Sequence, residues 1–142
     1  MLRVVNRCRV PREARDLRAV AGRMLVFLGK PGPWEGEIIL VNRREMEALN
    51  RRFRKRNHPT TVLSFPGSGF CAGAERYLGL IVLCFSEIRR REGSRRDGRA
   101  QLIFYLAHGI LHCIGYDHAR PADRRRMELR ERRIMSHFFH TV

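Results

Sequence analysis

Between Ala100 and Ile114 the chain is apolar almost all the way round. A helix with no polar face must lie in an interior, so this stretch predicts a buried central helix, which Gly115 ends. Within and just after it runs Ala107-His108-Gly109-Ile110-Leu111-His112-Cys113-Ile114-Gly115-Tyr116-Asp117-His118. His108 and His112 are four apart, so their rings stack on one helix face and can grip a single ion. Gly115 lets the backbone leave the helix, and the following turn can bring His118 round as a third nitrogen. Three neutral imidazoles at about 2.0–2.1 Å would hold a zinc-like ion and leave a fourth position for water, the mark of a catalytic rather than a structural site. One histidine on an apolar helix is usually a satisfied core residue. Three of the chain's six histidines in one such segment would need three buried partners unless a metal serves them all. Cys113 adjoins a ligand but points to another face, and is not counted.

The rest of the chain must supply a core for this helix to enter. A length of 142 residues, with 44% hydrophobic and 30% charged, suits one domain, read here as residues 1–142, and excludes bulk disorder. Leu2 to Val10 reads as a first strand. Pro11 opens a helix with Ala14, Leu17, Ala21, Met24, Leu25 and Leu28 at helical spacing, stopped by the Gly29–Pro33 segment. Glu37 to Val41 is a buried strand. Asn42 followed by Glu45 is a capping-box pattern, starting a helix lined by Met46, Leu49 and Phe53. Val62 to Phe65 is a short strand, Gly67 to Gly73 a loop, and Leu78 to Phe85 a strand from mid-sheet. Ser86 caps a short helix, Arg89 to Arg99 is a basic loop, and Pro121 starts a last helix carrying Met127, Ile134, Met135 and Phe138. Strands and helices intermix without strict alternation, so the fold class is α+β, with a small mixed sheet of about four strands around the buried helix.

Charge narrows the partners. Lys and Arg number 29 against 14 acidic residues, a net +15, and only Lys30 and Lys55 are lysines. Such a field recruits polyanions, nucleic acid before an anionic membrane, since no basic amphipathic helix ends the chain in a lipid-like face. No stretch reaches the roughly 18 apolar residues of a membrane span, and Arg3, Arg7 and Arg9 interrupt any signal-peptide core. The expectation is a cytoplasmic protein whose four cysteines are reduced thiols.

The spacing H-x-x-x-H-x-x-G-x-x-H is shared with the metzincin proteases, which place a glutamate base directly after the first histidine. Gly109 stands there and can transfer no proton, so a peptidase reading loses its base. A closer likeness follows. His108-Gly109-x-Leu111-His112-x-x-Gly115-Tyr116-Asp117-His118 resembles the signature of the YbeY family, bacterial single-strand-specific endoribonucleases that act in ribosomal RNA maturation. Leu49-Asn50-Arg51-Arg52-Phe53-Arg54 with Pro59-Thr60-Thr61-Val62-Leu63-Ser64-Phe65-Pro66 is similar to that family's segment ending in P-T-[DN]-V-L-S-F-P, and Leu78 to Cys84 gives a third, weaker match. The likeness spans about Glu37 to Met135.

That resemblance implies zinc ligation by His108, His112 and His118, and an Arg54 that acts on the RNA phosphate. It implies single-stranded, ribosomal RNA as substrate and the ribosome or its assembly factors as partners. A zinc ion on three neutral ligands keeps its full charge, so it lowers the pKa of bound water to about 7 or polarises a phosphoryl oxygen. Arg54 can fork onto the scissile phosphate. Asp117 can orient a histidine or act as a base, and equally can cap the turn between Gly115 and His118. Arg51, Arg52, Lys55 and Arg56 form an RNA track beside Arg54, and Arg89 to Arg99 a second cluster. The arginines from Arg124 to Arg133, with Glu128 and Glu131, read as a solvated face; His58 reads as exposed, and the spacing of His137 and His140 allows adventitious metal. Three positions depart from the family pattern: Thr61 where aspartate or asparagine is usual, Asn57 where an aspartate is common, and Leu80 for the aspartate of L-G-D, each removing negative charge near the site. The alternative reading is a non-cleaving ribosome- or RNA-binding factor with a structural metal.

Overall fold

In chain order the elements of the computed structural model are β1 (Leu2–Asn6), α1 (Leu17–Phe27), β2 (Glu35–Leu40), α2 (Arg43–Arg54), β3 (Val62–Pro66), β4 (Tyr77–Leu83), α3 (Phe85–Glu92), α4 (Gly98–Cys113) and α5 (Pro121–Phe138). Residues 2–9, 11–67 and 76–139 are described. The glycine-rich loop therefore lies almost wholly outside them, as do Cys71 and His140.

The apolar stretch forms α4, whose Leu102, Leu106, Ala107, Ile110 and Leu111 are fully buried. The sheet is four-stranded and mixed, in the order β1-β2-β4-β3. β1 and β4 each run parallel to β2, while β3 is antiparallel to β4, so β4 is interior and β3 an edge. Strand alternation sorts side chains between two faces. Ile38, Leu40, Ile81 and Leu83 join α1 and α4 in the main core, while Ile39, Val41, Val82 and Leu63 face Met46 and Leu49 of α2. The α+β class and the four-stranded mixed sheet expected from the sequence are thus present. Among the described residues no helix is long and apolar enough to cross a membrane.

Local chemistry moves several boundaries. The first strand stops at Asn6. Pro11 opens only a 3₁₀ turn, Arg12–Ala14, because Asp16 adopts a left-handed φ of 58° and the helix restarts at Leu17. The Asn42 side chain accepts the Glu45 N–H at 2.8 Å as a capping box requires. The reciprocal half is missing, since the Glu45 carboxylate pairs with Arg7 Nε at 2.9 Å. Phe53 is 53% exposed rather than core, touching the Phe65 ring edge-on at 5.1 Å. Ser86 sits inside the first turn of α3, where Cys84 is the N-cap and no side chain caps. Arg89 to Arg91 continue α3 instead of starting a loop.

Helix α4 lies unusually close to the sheet at one point. A Cβ at Gly109 would stand 2.8 Å from Ile81 Cγ2 and 3.2 Å from Ser64 Oγ. Ile81 is β-branched and fully buried, so it cannot swing away. The position that bears a glutamate in metzincins is therefore filled by the sheet here. Gly109→Ala should lose stability despite alanine's helix propensity, by up to about 2 kcal/mol net, because overpacking of about 1–3 kcal/mol offsets or exceeds a gain of about 1 kcal/mol. Chemical denaturation of the two proteins checks this, and an unchanged or raised midpoint would refute the close contact.

Candidate metal centre

The end of α4 builds the site. Ile114 is the C-cap, Gly115 takes a φ of 106°, the Gly115 N–H bonds to the His112 carbonyl at 3.1 Å, and the Tyr116 N–H to the Leu111 carbonyl at 2.9 Å. This is a Schellman motif, with glycine where a side chain would be strained. It turns the chain back so that His118 meets the two helical histidines. Its ring centroid lies 4.8 Å from that of His112 and 5.8 Å from that of His108. One ligand atom from each of the three rings falls within 4.8 Å of the others, a group that can hold a metal ion.

The ring nitrogens are arranged for such an ion. His112 Nδ1 lies 3.1 Å from the Tyr116 carbonyl oxygen, which can only accept, so Nδ1 carries the hydrogen. His108 Nδ1 faces a Glu131 carboxylate oxygen at 3.4 Å, a contact that orients the ring. His112 Nε2 is then a bare lone pair, and it faces His108 Nε2 3.2 Å away. Two ring nitrogens at that distance need a proton or a metal ion between them. Two nitrogens at about 2.0–2.1 Å from one tetrahedral ion would be about 3.3–3.4 Å apart, which the pair matches. Burial, followed by the His108 and His118 rings, holds His112 below the usual histidine range and keeps it neutral, as a ligand must be. Burial pushes the Cys113 thiol up to about 12, which leaves it an inert neighbour.

The three rings open into a pocket of about 530 Å³, lined also by Arg54, Thr61, Ser64, Arg91, Tyr105 and Asp117. Arg54, expected from the sequence, is brought to the histidines by the last turn of α2. Asp117 lines the same pocket; its Oδ1 accepts the His118 N–H at 2.7 Å and lies 3.9 Å from His118 Nδ1. Arg51, Arg52, Lys55 and Arg56 are exposed beside Arg54 but do not line the pocket. Arg51 pairs with Glu47 at 3.5 Å, and Arg52 lies over the Phe53 ring at 5.4 Å. His58 is exposed, and its carbonyl accepts from the buried Asn50 side chain at 2.7 Å. His137 stacks on Phe27, with ring centroids 4.5 Å apart, away from these rings.

Three expectations need correction. Glu131 is not on a solvated face: it is 6% exposed, between Met127 and Ile134 on the buried stripe of α5. The signal was the helical period itself, which puts position 131 in line with those two apolar residues. The basic cluster from Arg89 to Arg99 is not a single surface, as Arg89 and Arg99 are bound to backbone carbonyls while Arg91 enters the pocket. Of the three departures from the family pattern, only Thr61 lines the pocket. Leu80 packs on the α2 side of the sheet, and Asn57 is exposed, accepting from Arg51 Nε at 3.3 Å. Thr61 is buried and lines the pocket with Tyr105, whose hydroxyl donates to Glu92. Burial and then Glu92 raise the Tyr105 pKa.

Comparison with known proteins agrees with this architecture. The family described as Endoribonuclease YbeY matches residues 10–139. An Endoribonuclease YbeY of Anaeromyxobacter dehalogenans is 47% identical over 123 residues, covering 84% of this chain and 62% of the relative. One from Vesicomyosocius okutanii is 31% identical over 122 residues, covering 85% and 83%. The chain spans about three fifths of the length of its two Anaeromyxobacter relatives. The solution structure of TM1509 from Thermotoga maritima shares the fold, with a TM-score of 0.64 at 24% identity over 96% of this chain and 87% of that one. With the match running from before α1 to the end of α5, and the histidine cluster inside it, the chain belongs to the YbeY endoribonuclease family.

Proposed function

We propose that the chain is a metal-dependent endoribonuclease acting on single-stranded RNA, ribosomal RNA above all, with His108, His112 and His118 holding one zinc ion. The observation that carries this reading is the pair of facing Nε2 atoms 3.2 Å apart in a pocket that Arg54 also lines. When bound, the ion supplies Lewis acidity toward a phosphoryl oxygen. Three imidazoles suit nickel or copper too, so availability selects the metal.

The chain's own side chains account for the remaining roles. Arg54 has no ion pair or hydrogen bond among the described residues, which leaves its fork open to the non-bridging oxygens of a scissile phosphate. Asp117 fixes the turn through Oδ1 and keeps a second oxygen to take up a proton. The Tyr116 carbonyl holds His112 in one tautomer, and the Glu131 carboxylate orients His108. Arg51, Arg52, Lys55 and Arg56 serve as a track for the strand outside the pocket, through contacts that give affinity with little base preference. The ribosome or its assembly factors are the proposed partners. The cytoplasm is the proposed compartment, in keeping with free thiols at Cys8, Cys84 and Cys113.

Cleavage of a labelled single-stranded RNA by wild type and His112→Ala, purified side by side, tests the proposal. Wild type should cut and the variant should not. Equal cutting would assign the activity to a contaminant, and RNA binding without cutting by either would favour a non-cleaving RNA-binding factor.

Glu131→Gln keeps the shape of the side chain but removes the charge that polarises His108. Zinc affinity should fall about 10- to 100-fold, read by competition with a chromophoric chelator. An unchanged affinity would show that the carboxylate does not act on the ring.

Metal affinity should also depend on pH in a definite direction. A lowered pKa means that His112 remains a neutral ligand to more acidic pH than a free imidazole at about 6.5. Zinc affinity should therefore hold to more acidic pH than a free imidazole would allow, and fall as pH drops through the lowered His112 range below ~6.5, where protons compete for the ring. Stability of the metal-free chain follows the same sign. The unfolded state binds the His112 proton more readily, so that stability is present above pH ~6.5 and lost as pH falls through the folded value. A pH series of chelator competition and thermal melts checks both, and flat profiles would contradict them.

A further inference from the structure

The reading of the pocket as a phosphodiester site leaves one of its cations without a role. Arg91 stands in the last turn of α3, lines the pocket with Arg54 and the three histidines, and is 47% exposed at its side chain. Its neighbours in sequence are engaged elsewhere. Arg89 donates to the Arg96 and Ser94 carbonyls at 2.8 and 3.0 Å and to Gln101 Oε1 at 2.9 Å, so it fastens the segment between α3 and α4. Arg99 donates to the carbonyls of Glu13 and Arg15 at 3.0 and 2.6 Å.

Among the described residues Arg91 has only a remote anion. Its Nη2 is 4.0 Å from Glu87, whose buried carboxylate is already held by Arg43 at 3.1 Å and Arg90 at 3.5 Å. Removing Arg91 therefore leaves Glu87 paired, and the guanidinium is not needed to neutralise a buried charge. Among the described residues one carboxylate, Asp117, lines the pocket, against two arginines and a ligand set that can take a divalent ion. That excess of positive charge is more than one phosphodiester carries.

We infer that Arg91 forms a second phosphate subsite, which binds the phosphate adjacent to the scissile one and so makes the preferred ligand a strand with at least two successive phosphates. The inference rests on the proposed function and names a positioning residue for it. Arg54 comes from the end of α2 and Arg91 from the end of α3, so the two guanidinium groups are fixed to different helices and hold separate points of one strand. A planar fork suits this task, because it binds non-bridging phosphate oxygens in pairs.

The test is binding of the zinc-loaded full chain to a non-cleavable 2′-O-methyl oligoribonucleotide, followed by fluorescence anisotropy. Wild type and Arg91→Gln are each titrated with the fully charged strand and with strands in which one linkage is a neutral methylphosphonate, moved along the sequence. Arg91→Gln should bind the charged strand about tenfold more weakly, and the slope of log affinity against log salt should fall by about 0.7. At one linkage the methylphosphonate should weaken wild type similarly and add nothing to Arg91→Gln. Arg91→Lys should recover part of the loss. Additive losses at every linkage, or an unchanged affinity and salt slope, would overturn the subsite. If wild type itself fails to bind the charged strand, the proposed function falls and the subsite with it. Far-ultraviolet circular dichroism and a thermal melt of each variant separate unfolding from lost contact.

Discussion

The site depends on how α4 ends. A helix buried on nearly every side leaves its last carbonyls without water, and they must be satisfied within a turn. The Schellman motif at Leu111–Tyr116 does this, and the same backbone reversal places the Tyr116 carbonyl against His112 Nδ1 and delivers His118 to the other two rings. Capping and ligand orientation are thus one geometric event. Gly109 completes it from the opposite side. With no Cβ between α4 and Ile81, the helix seats closely on β4 and β3, and the pocket wall of Thr61, Val62 and Ser64 comes up beside the histidines.

The large positive charge divides by what each arginine touches. Arg89 and Arg99 fasten backbone carbonyls, Arg43 and Arg90 compensate the buried Glu87, and Arg7 pairs with Glu45. Such arginines are part of the fold, because their loss would leave carbonyls or a carboxylate without partners. Arg54 and Arg91, by contrast, line a pocket whose other lining is mostly polar or aromatic. Net charge alone could not separate these roles, since it sums over both. A field of one sign gathers polyanions from a distance, while specific placement at the pocket is left to the few cations the fold itself does not engage.

Legibility in the sequence followed the range of the interactions. Local, periodic features were readable: the all-apolar α4, the Asn42 cap, the Pro121 start of α5, and the four- and six-residue steps from His108 to His112 to His118. Contacts between distant elements were not. Glu131 was hidden because an acidic residue amid arginines reads as solvated, although its register with Met127 and Ile134 pointed inward. Asp16 broke the first helix through a left-handed backbone that apolar spacing cannot signal. Arg91 sat in a run of three arginines, and only the contacts of the folded chain distinguish it from Arg89 and Arg90.

The departures from the family pattern take on different meanings once placed. Leu80 faces the α2 side of the sheet among Ile39, Val82 and Phe65, where a carboxylate would be partly buried against apolar neighbours at a cost of several kcal/mol unless paired. Leucine there fills the second core and leaves the pocket untouched. Thr61 is the departure that touches the site. Its buried side chain and Tyr105 line the pocket together, and the Tyr105 hydroxyl donates to Glu92, so the carboxylate on that side stands behind a tyrosine and does not line the pocket. Position 61 thus carries a polar, uncharged side chain. Against a ligand as strongly anionic as the proposed nucleic acid strand, a neutral wall adds no repulsion and leaves the imidazoles, held by Glu131 and Tyr116, unchanged.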